Sequence, residues 1–251
     1  MIHKIDENKK IIDVISIMPE YFESFLKTGL IGRALKTGLV EINIINPRDF
    51  SNDKHKRVDD KIYGGGAGQL LMAEPILKAY EHSLTNYTYY TYKNKKYITV
   101  IMSASGKLLD SSIAEDMSGY NHIIIICGRY EGIDARVTDI TGGIEVSIGN
   151  YILSGGEIAA VVFIETVSRY FKGFLGNPDS LKEESLSGNF GKILEYPQYT
   201  KPKVLKGKPV PDVLLGGNHK LINEWRTEKA LKKTAENRGR PFNENSGETE
   251  S

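Results

Sequence analysis

The stretch Ile123–Val137 reads I-I-I-I-C-G-R-Y-E-G-I-D-A-R-V, and it decides the fold class. Its four isoleucines are β-branched and wholly apolar, which is typical of a short strand buried on both faces of a parallel sheet. The run ends at Cys127-Gly128, and charged and aromatic side chains follow at once: Arg129, Tyr130, Glu131 and Asp134. Ligands of open α/β sheets bind beyond the carboxyl ends of the strands. The stretch therefore predicts a buried strand that leads into a binding site, although an ordinary strand-to-helix loop would also fit it.

Further apolar runs along the chain alternate with helical patterns. We expect strands at Ile11–Met18, Leu39–Ile45, Tyr97–Met102 and Ile144–Ile148. We expect helices at Glu20–Lys27, Ile31–Lys36, Pro75–His82, Ser111–Met117 and Glu157–Tyr170. The segment Thr85–Lys96, which is rich in Tyr, Asn and Lys, is expected to form a surface loop. Strands that alternate with helices predict an α/β fold with a mostly parallel sheet.

The composition changes after the helix that ends near Tyr170. Residues 173–191 are rich in Gly, Ser and Asn with little apolar periodicity, which predicts a flexible linker. A Pro- and Lys-rich segment and a helix at Leu221–Lys233 follow. We therefore expect an α/β domain over 1–172, the linker, a small basic helical domain over 192–240 and a disordered acidic tail over 241–251.

The charge distribution is more informative than the total charge. The formal net charge is only +1, yet residues 196–240 contain eleven Lys and Arg against four Asp and Glu. Such a basic segment either follows a polyanion or forms the solvated face of a charged helix. The single cysteine, Cys127, excludes an intramolecular disulfide and a Cys-rich zinc site. Because it ends an apolar strand, we expect a small buried hydrophobe rather than a nucleophile.

Several other classes of protein are disfavoured. No apolar run approaches the ~20 residues that span a bilayer. Lys, Asp and Glu precede Ile11, unlike the start of a secretory signal. No HExxH motif or His-rich cluster indicates a catalytic metal. We expect a cytoplasmic protein that does not enter a membrane.

Three glycine-bearing loops follow predicted strands, at Ser103–Gly106, Gly128–Gly132 and Ser147–Gly156. Glycine has no Cβ, so a backbone can approach a ligand closely there. Three such loops at one sheet edge predict a pocket whose ligand is held mainly by main-chain groups, while ordinary turn glycines would explain any one of them. Gly64–Gly68 is not a Walker A loop, because no Lys-Ser/Thr follows it, and no G-x-G-x-x-G follows the first strand.

Six motifs in register carry a resemblance to a known family. They read I-x-x-M-P-E-Y-F, P-R-D-F, V-D-D-x-x-Y-G-G-G-A-G, C-G-R-Y-E-G-I-D-x-R-V, S-I-G-N-Y-I-L-S-G-G-E and L-x-G-N-H, between about Ile11 and Arg226. Together they resemble the bacterial tRNA (guanine-N1-)-methyltransferases of the TrmD type. The resemblance implies a SPOUT fold with a C-terminal trefoil knot in the sheet domain. It also implies a homodimer whose active sites lie between subunits, S-adenosylmethionine as methyl donor, N1 of guanosine 37 in tRNA as target, and Mg²⁺ as an optional assisting ion.

The resemblance also assigns residues. The donor pocket would be lined by Ile101, Met102, Ser103, Ala104, Gly128, Tyr130, Glu131, Gly132, Ile148, Gly149, Asn150, Tyr151, Ile152, Leu153, Gly155 and Gly156. These belong to the three loops that were singled out on physical grounds. The RNA would be contacted by His55, Lys56, Arg57, Lys201, Lys203, Lys206, Lys208, Lys220 and Arg226.

The implied catalytic pair is Arg169 and a linker carboxylate. Arg169 would stabilise negative charge, although Glu165 lies four residues earlier and an i,i+4 surface pair would also account for it. Glu184 occupies the position where the family usually has Asp followed by Ser, so the implied base is one methylene longer, and Asp179 is the fallback. The competing functions are a SPOUT enzyme acting on another RNA position, such as a ribose 2′-hydroxyl, and a catalytically inactive RNA-binding homologue.

Overall fold

A computed structural model describes residues 9–90, 96–177 and 193–238. The strands in chain order are β1 (Lys10–Ile15), β2 (Val40–Ile45), β3 (Asp59–Asp60), β4 (Leu70–Leu71), β5 (Tyr97–Leu108), β6 (His122–Cys127), β7 (Ile144–Ser147), β8 (Val204–Leu205) and β9 (Lys208–Pro209). The helices are α1 (Glu23–Lys27), α2 (Gly29–Lys36), α3 (Ala73–Tyr90), α4 (Ser111–Ser118), α5 (Arg136–Thr141), α6 (Gly156–Ser168) and α7 (His219–Arg238). Short 3-10 helices lie at Pro19–Phe22, Pro47–Phe50 and Asp212–Leu214.

A five-stranded sheet of order β2-β1-β6-β5-β7 organises the first part of the chain, and all of its pairings are parallel. The sequence prediction of a mostly parallel α/β sheet is therefore confirmed, and each of its five predicted strands is present. The central strand β6 is buried along its whole length. Ile123, Ile125 and Cys127 belong to the core on one side of the sheet, whereas Ile124 and Ile126 belong to the core on the other. A strand between two cores has no solvent-facing side chain, which explains the unbroken apolar run.

Local signals set the ends of several helices. The Asp110 side chain accepts a hydrogen bond from Ile113 N (2.9 Å), which caps the start of α4. Gly142 ends α5 in the left-handed conformation, with φ of 60°. No helix among residues 9–90, 96–177 and 193–238 combines the length and the apolar character required to cross a membrane.

The predicted loop at Thr85–Lys96 is wrong in its first half, because α3 continues to Tyr90. Tyr, Asn and Thr are weak helix formers, but the segment from Thr85 to Tyr90 contains no Gly or Pro to stop a helix that Ser83 already anchors in the core. Residues 91–95 lie outside the described part of the chain. Weak helix propensity alone therefore did not end the helix.

The predicted loop at Ser103–Gly106 lies within β5 instead of after it. Met102 and Lys107 both pair with Val146 of β7, so the four residues between them bulge out of the strand. A bulge of this kind leaves its residues without regular ladder partners and turns them out of the sheet. The segment thus keeps the exposed character of a loop while the strand continues beyond it.

The chain separates into two compact units, the first ending at Gly176 and the second beginning at Asn177. Within the second unit, α7 includes the predicted helix Leu221–Lys233. The Arg226 guanidinium lies over the Tyr196 ring (4.8 Å to the centroid), and Leu194 N donates to Thr234 Oγ1 (2.8 Å). These contacts hold the segment before the β8–β9 hairpin along α7. The domain limits expected from the sequence at residues 172, 191 and 240 stay predictions.

A buried polar network crosses the sheet beneath α3. Asp13 Oδ2 lies 2.9 Å from His122 Nε2 and accepts a hydrogen bond from Ser83 Oγ (2.5 Å), while Oδ1 accepts from Asn43 Nδ2 (2.9 Å). An ionised carboxylate can only accept, so the His122 proton that faces it is on Nε2. Burial alone would raise the pKa of Asp13, but the hydrogen bonds from His122 and Ser83 outweigh it, and the pKa is lowered.

This lowered pKa predicts an acid-sensitive contribution to stability. The folded Asp13 holds its proton less tightly than the unfolded one, so its contribution is complete above the unfolded pKa of about 3.9 and is lost as the pH falls through the folded value. The difference in unfolding free energy between wild type and Asp13→Asn, measured by urea denaturation, should shrink as the pH falls below about 4. Asp116→Asn, an exposed control on α4, should show no such trend. A pH-independent difference for Asp13→Asn would contradict the assignment.

Candidate active site

A cavity of about 710 Å³ opens at the carboxyl ends of β5, β6 and β7. Its volume falls within the roughly 300–1,000 Å³ that is usual for small-molecule sites. Three segments form its walls: the bulge of β5, the loop after β6, and the loop between β7 and α6. The three predicted glycine-bearing loops therefore lie at one cavity, and the binding of a ligand there by main-chain groups stays a prediction.

All the residues predicted for the donor pocket line this cavity except Asn150. Asn150 is exposed at a tight turn, where Tyr151 N donates to Gly149 O (3.0 Å), and it is not among the lining residues. The sequence reasoning missed other lining residues, among them Arg129, Thr138, Asp139 and Glu145. Glu145 could have been predicted as a lining residue. It lies two residues before Ser147 on β7, so the two side chains project from the same face of the strand. Thr138 and Asp139 lie on α5, and no local pattern indicates that this helix borders the pocket.

Two glycines at or near the pocket, Gly156 and Gly106, let chain segments cross. A Cβ on Gly156 would lie 3.0 Å from Cys127 Cα and from Gly128 N. A Cβ on Gly106 would lie 2.5 Å from the backbone of Glu145 and Val146. The sequence interpretation, in which glycine made room for a ligand, therefore needs correction at these two positions, because protein backbone already occupies that space.

A buried ion pair joins the start of α6 to the loop after β6. Arg129 Nε lies 2.9 Å from Glu157 Oε2, and the Glu157 side chain is only 1% exposed. Ser16 Oγ donates to Glu157 Oε1 (2.8 Å), and the Arg129 guanidinium lies over the Tyr21 ring (5.0 Å to the centroid). The cluster unites residues from three separate sequence motifs, which explains why those motifs occur together. Arg129 thus shapes the wall of the cavity through its fixed partner.

The charged groups around the cavity make it acidic. Glu131, Asp139 and Glu145 line it, and none of them forms a salt bridge with any residue in the described part of the chain. The lining cation, Arg129, is already neutralised by Glu157. Carboxylates that converge on one cavity favour a cationic ligand. Cys127 lies at the base of this region, and burial raises the pKa of its thiol, so it is the buried hydrophobe expected from the sequence.

Tyr130 has an unusual backbone conformation at the cavity wall. Its φ is 60°, in the left-handed region that costs a non-glycine residue roughly 1–2 kcal/mol. Gly132 follows with φ of 116°, where a Cβ would meet no atom within 4 Å, so glycine is required there for conformation alone. Such strain persists where the surrounding structure imposes it, and it is concentrated at functional sites.

The predicted catalytic residues lie away from this cavity or outside the described chain. Arg169 is the C-terminal cap of α6 and is not among the lining residues. Gly156, at the other end of the same 13-residue helix, does line the cavity. At 1.5 Å per residue the two are about 20 Å apart along the helix axis. Glu184 and Asp179 lie outside the described residues.

Most of the residues predicted to contact RNA are exposed: His55, Lys56, Arg57, Lys201, Lys203, Lys206, Lys208 and Lys220. Two of them are paired locally, since Lys56 lies 3.4 Å from Asp49 and Arg57 lies 2.8 Å from Asp53. Arg226 is half-buried and stacks on Tyr196, so part of its role is structural. Among the described residues, no group of three or more His, Cys, Asp or Glu side chains is arranged to hold a metal ion.

The fold and the cavity define an α/β protein with a small-molecule site at the carboxyl edge of a parallel sheet. A family model described as tRNA (Guanine-1)-methyltransferase TrmD matches residues 10–243. A tRNA (guanine-N(1)-)-methyltransferase of Dictyoglomus turgidum is 47% identical over 223 residues, which are 89% of this chain and 86% of the relative. Those of Persephonella marina and Clostridioides difficile are 48% and 42% identical, over 88% and 90% of this chain and 84% and 94% of the relatives. The chain belongs to the tRNA (Guanine-1)-methyltransferase TrmD family.

The buried ion pair generates a prediction about stability. Glu157→Gln keeps the shape of the side chain but leaves Arg129 without a carboxylate, and breaking a buried pair costs about 3–5 kcal/mol. Chemical denaturation at a fixed protein concentration should show this loss. Glu81→Gln on α3, where the side chain is exposed, should stay within about 0.5 kcal/mol of wild type. Equal, small effects of the two substitutions would refute the structural role of the pair.

Proposed function

We propose that this protein transfers a methyl group from S-adenosylmethionine to N1 of guanosine 37 in tRNA. The observation that supports the proposal most is that, in a member of the TrmD family, the loops which the resemblance assigned to the donor line one cavity. The methyltransferase class of the family and its tRNA substrate come from the names of the family and of the relatives. The identity of the donor and the position of the guanosine are the proposal.

The cavity is compatible with this donor in charge and in lining. S-adenosylmethionine carries a sulfonium and an ammonium cation, and Glu131 and Asp139, which form no salt bridge with any described residue, supply acidic walls. The loops Gly128–Gly132 and Ile148–Leu153 would hold the adenosyl part through main-chain groups. When bound, the donor supplies an electrophilic methyl group attached to a positively charged sulfur. The displacement itself requires no metal, and Mg²⁺ remains an optional assisting ion.

The protein must prepare the guanine nitrogen. N1 of guanine carries a proton at neutral pH, and its lone pair is unavailable until that proton leaves. We assign the general base to the carboxylate of Glu184, with Asp179 as the alternative. The charge that develops then spreads onto O6, where the guanidinium of Arg169 stabilises it. Proximity and orientation of the two substrates supply much of the remaining rate.

The position of Arg169 supports an active site shared between two subunits. Arg169 and the cavity belong to opposite ends of α6, about 20 Å apart along its axis at 1.5 Å per residue, which is beyond the reach of one side chain. In a symmetric dimer the Arg169 of one subunit would meet the cavity of the other. Exposed apolar side chains near the start of α6 provide a surface for such a dimer: Tyr151, Ile152, Ile158 and Val162.

The finer features of the fold are also part of the proposal. A SPOUT-type trefoil knot over the C-terminal part of the sheet domain is supported by the crossing of two segments, where Gly156 N donates to Gly128 O (2.8 Å). The domain limits proposed are 1–172, a linker over 173–191, a small basic helical domain over 192–240 and a tail over 241–251. The protein is proposed to act in the cytoplasm.

The basic segment is proposed to bind the anticodon stem. The exposed Lys201, Lys203, Lys206, Lys208 and Lys220, with Arg226 and the loop at His55, Lys56 and Arg57, would contact phosphates. Contacts of this kind give salt-sensitive affinity without reading the sequence. The target guanine must leave its stack to reach the cavity, which costs a few kcal/mol.

One assay tests the proposed function against its competitors. Purified protein is incubated with labelled S-adenosylmethionine and tRNA transcripts that carry either guanosine or adenosine at position 37. We expect label in the first transcript alone, at N1 of the guanine. Label in both transcripts, or in a ribose, would favour a SPOUT enzyme with another target. Label in neither, with tRNA binding retained, would favour an inactive RNA-binding homologue.

Arg169→Ala should abolish methyl transfer while leaving donor affinity nearly unchanged, because the guanidinium acts on guanine O6 and not on the donor pocket. The comparison requires donor binding by calorimetry alongside turnover. If Arg169 of one subunit acts at the donor cavity of the other, mixing Arg169→Ala with a donor-site variant should restore activity. If Arg169→Ala loses donor affinity and turnover to the same extent, the role of Arg169 is structural and not catalytic.

Glu184→Gln should reduce turnover by ~10²-fold or more, because the amide cannot accept the N1 proton. Asp179→Asn is the matched control in the same segment and should retain turnover. If Asp179→Asn is inactive and Glu184→Gln is not, the base is Asp179.

A further inference from the structure

We propose that Glu145 is a positioning residue, whose carboxylate fixes the bulge of β5 against β7 and thereby sets the spacing of two walls of the donor pocket. The inference rests on the proposed function, because it takes S-adenosylmethionine as the ligand of the cavity. It assigns a role to a residue that neither the motifs nor the family resemblance singled out.

The bulge of β5 lacks regular support from its neighbouring strand. Met102 and Lys107 both pair with Val146, so the register gives Ser103–Gly106 no ladder partner on β7. Residues released from a ladder in this way depend on other contacts for a fixed position. A segment that lines a binding site must have such contacts if the site is to be preorganised.

Glu145 supplies these contacts. Its Oε2 accepts hydrogen bonds from Ser103 Oγ and from Ser105 Oγ, both at 3.0 Å, and the two hydroxyl oxygens are 2.8 Å apart. Each hydroxyl has one proton to donate, and a carboxylate oxygen can accept both. Bonds to an ionised acceptor are about twice as strong as neutral ones. One side chain on β7 therefore holds both serines of the bulge.

The backbone at the end of the bulge is packed closely against β7. Gly106 lies so close to β7 that a Cβ would be 2.5 Å from Glu145 C and from Val146 N. The bulge is thus held at its base by close backbone packing at Gly106 and at its tip by the Glu145 carboxylate. Loss of the carboxylate would free the tip and leave the base in place.

These contacts join two walls of one cavity. Ser103, Ala104 and Ser105 form the wall contributed by β5, and Glu145 and Val146 form part of the wall contributed by β7. The Glu145 side chain is only partly buried, and Ser105 is exposed, so the hydrogen bonds add little to global stability. Their effect is instead local, on the width of the pocket. A change at Glu145 should therefore weaken donor binding far more than it weakens the fold or the methyl transfer itself.

The experiment compares five variants of the full-length protein: Glu145→Ala, Glu145→Gln, the double variant Ser103→Ala/Ser105→Ala, the triple variant that combines this pair with Glu145→Ala, and the control Glu115→Ala, which removes an exposed carboxylate on α4. Calorimetry gives the Kd for S-adenosylmethionine, and steady-state assays with tRNA give kcat and the KM for the donor. Glu145→Ala and the double variant should each raise Kd and KM about tenfold, the effect of roughly one lost charge-assisted hydrogen bond. The kcat at saturating donor should stay within about twofold of wild type, because the groups that act on guanine are untouched.

Glu145→Gln separates positioning from a direct effect of charge. Its amide oxygen can accept the same two serine hydroxyls, so we expect a Kd within about threefold of wild type. Combining Glu145→Ala with the two serine substitutions should be no worse than Glu145→Ala alone, because all three act through one set of contacts. Glu115→Ala should match wild type throughout.

Three results would overturn the inference. The first is donor binding by Glu145→Ala that matches wild type. The second is a defect of Glu145→Gln as large as that of Glu145→Ala, which would mean that the charge acts on the ligand. The third is a fall in kcat with KM unchanged. If Glu145→Ala fails to fold, the double serine variant carries the same test, because it leaves the β7 side chain intact. A wild-type protein that neither binds S-adenosylmethionine nor methylates tRNA would refute the proposed function, and the inference with it.

Discussion

The ion pair between Arg129 and Glu157 is the interaction on which the geometry of the cavity depends. It connects the loop after the central strand to the first turn of α6, and both of these segments form cavity walls. Burying two charges carries a large desolvation cost, which is offset only when the geometry is good and further hydrogen bonds are present. Ser16 supplies one such bond to Glu157, and Tyr21 covers the face of the guanidinium. The motifs that contain these residues therefore depend on one another, although they are far apart in the sequence.

Two glycines near the cavity have a structural role that differs from the one expected from the sequence. Gly106 and Gly156 lie where two backbones cross at a distance that leaves no space for a side chain. These crossings bring three segments of the chain to one edge of the sheet and create a cavity between them. The acidic side chains of Glu131 and Asp139 in the walls favour a cationic ligand, and a sulfonium donor fits this expectation. Close glycine crossings thus shape the cavity, and these carboxylates give it its acidic character.

Much of the fold could be predicted from the sequence, for identifiable reasons. The five strands were recognisable because β-branched apolar runs are long enough to mark a strand buried on both faces, as in Ile123–Cys127. The extension of α3 to Tyr90 was not predicted, because residues of weak helix propensity do not end a helix when the segment contains no Gly or Pro. The bulge in β5 was read as a loop, since its exposed small residues look the same in either state. The register between β5 and β7 depends on both strands, so it cannot be predicted from the sequence of β5 alone.

The candidate site was also predictable from the sequence only in part. The three loops were predictable because glycine and aromatic residues directly follow apolar strands, and all of the assigned lining residues but Asn150 meet at one cavity. The partners of Arg129 and the contacts of Glu145 were not predictable, because each depends on side chains that distant segments of the chain bring together. Arg169 was identified by resemblance alone, and the proposal that it acts on a second subunit's cavity rests on the length of α6.

The central claim is that this cavity is the S-adenosylmethionine site of a dimeric methyltransferase. A crystal structure of the protein with S-adenosylmethionine tests it most directly. We predict donor density between Gly128–Gly132 and Ile148–Leu153, with the methyl group directed toward Arg169 of a second subunit. Donor density at another surface, or in a monomer whose own Arg169 reaches the methyl group, would contradict the account.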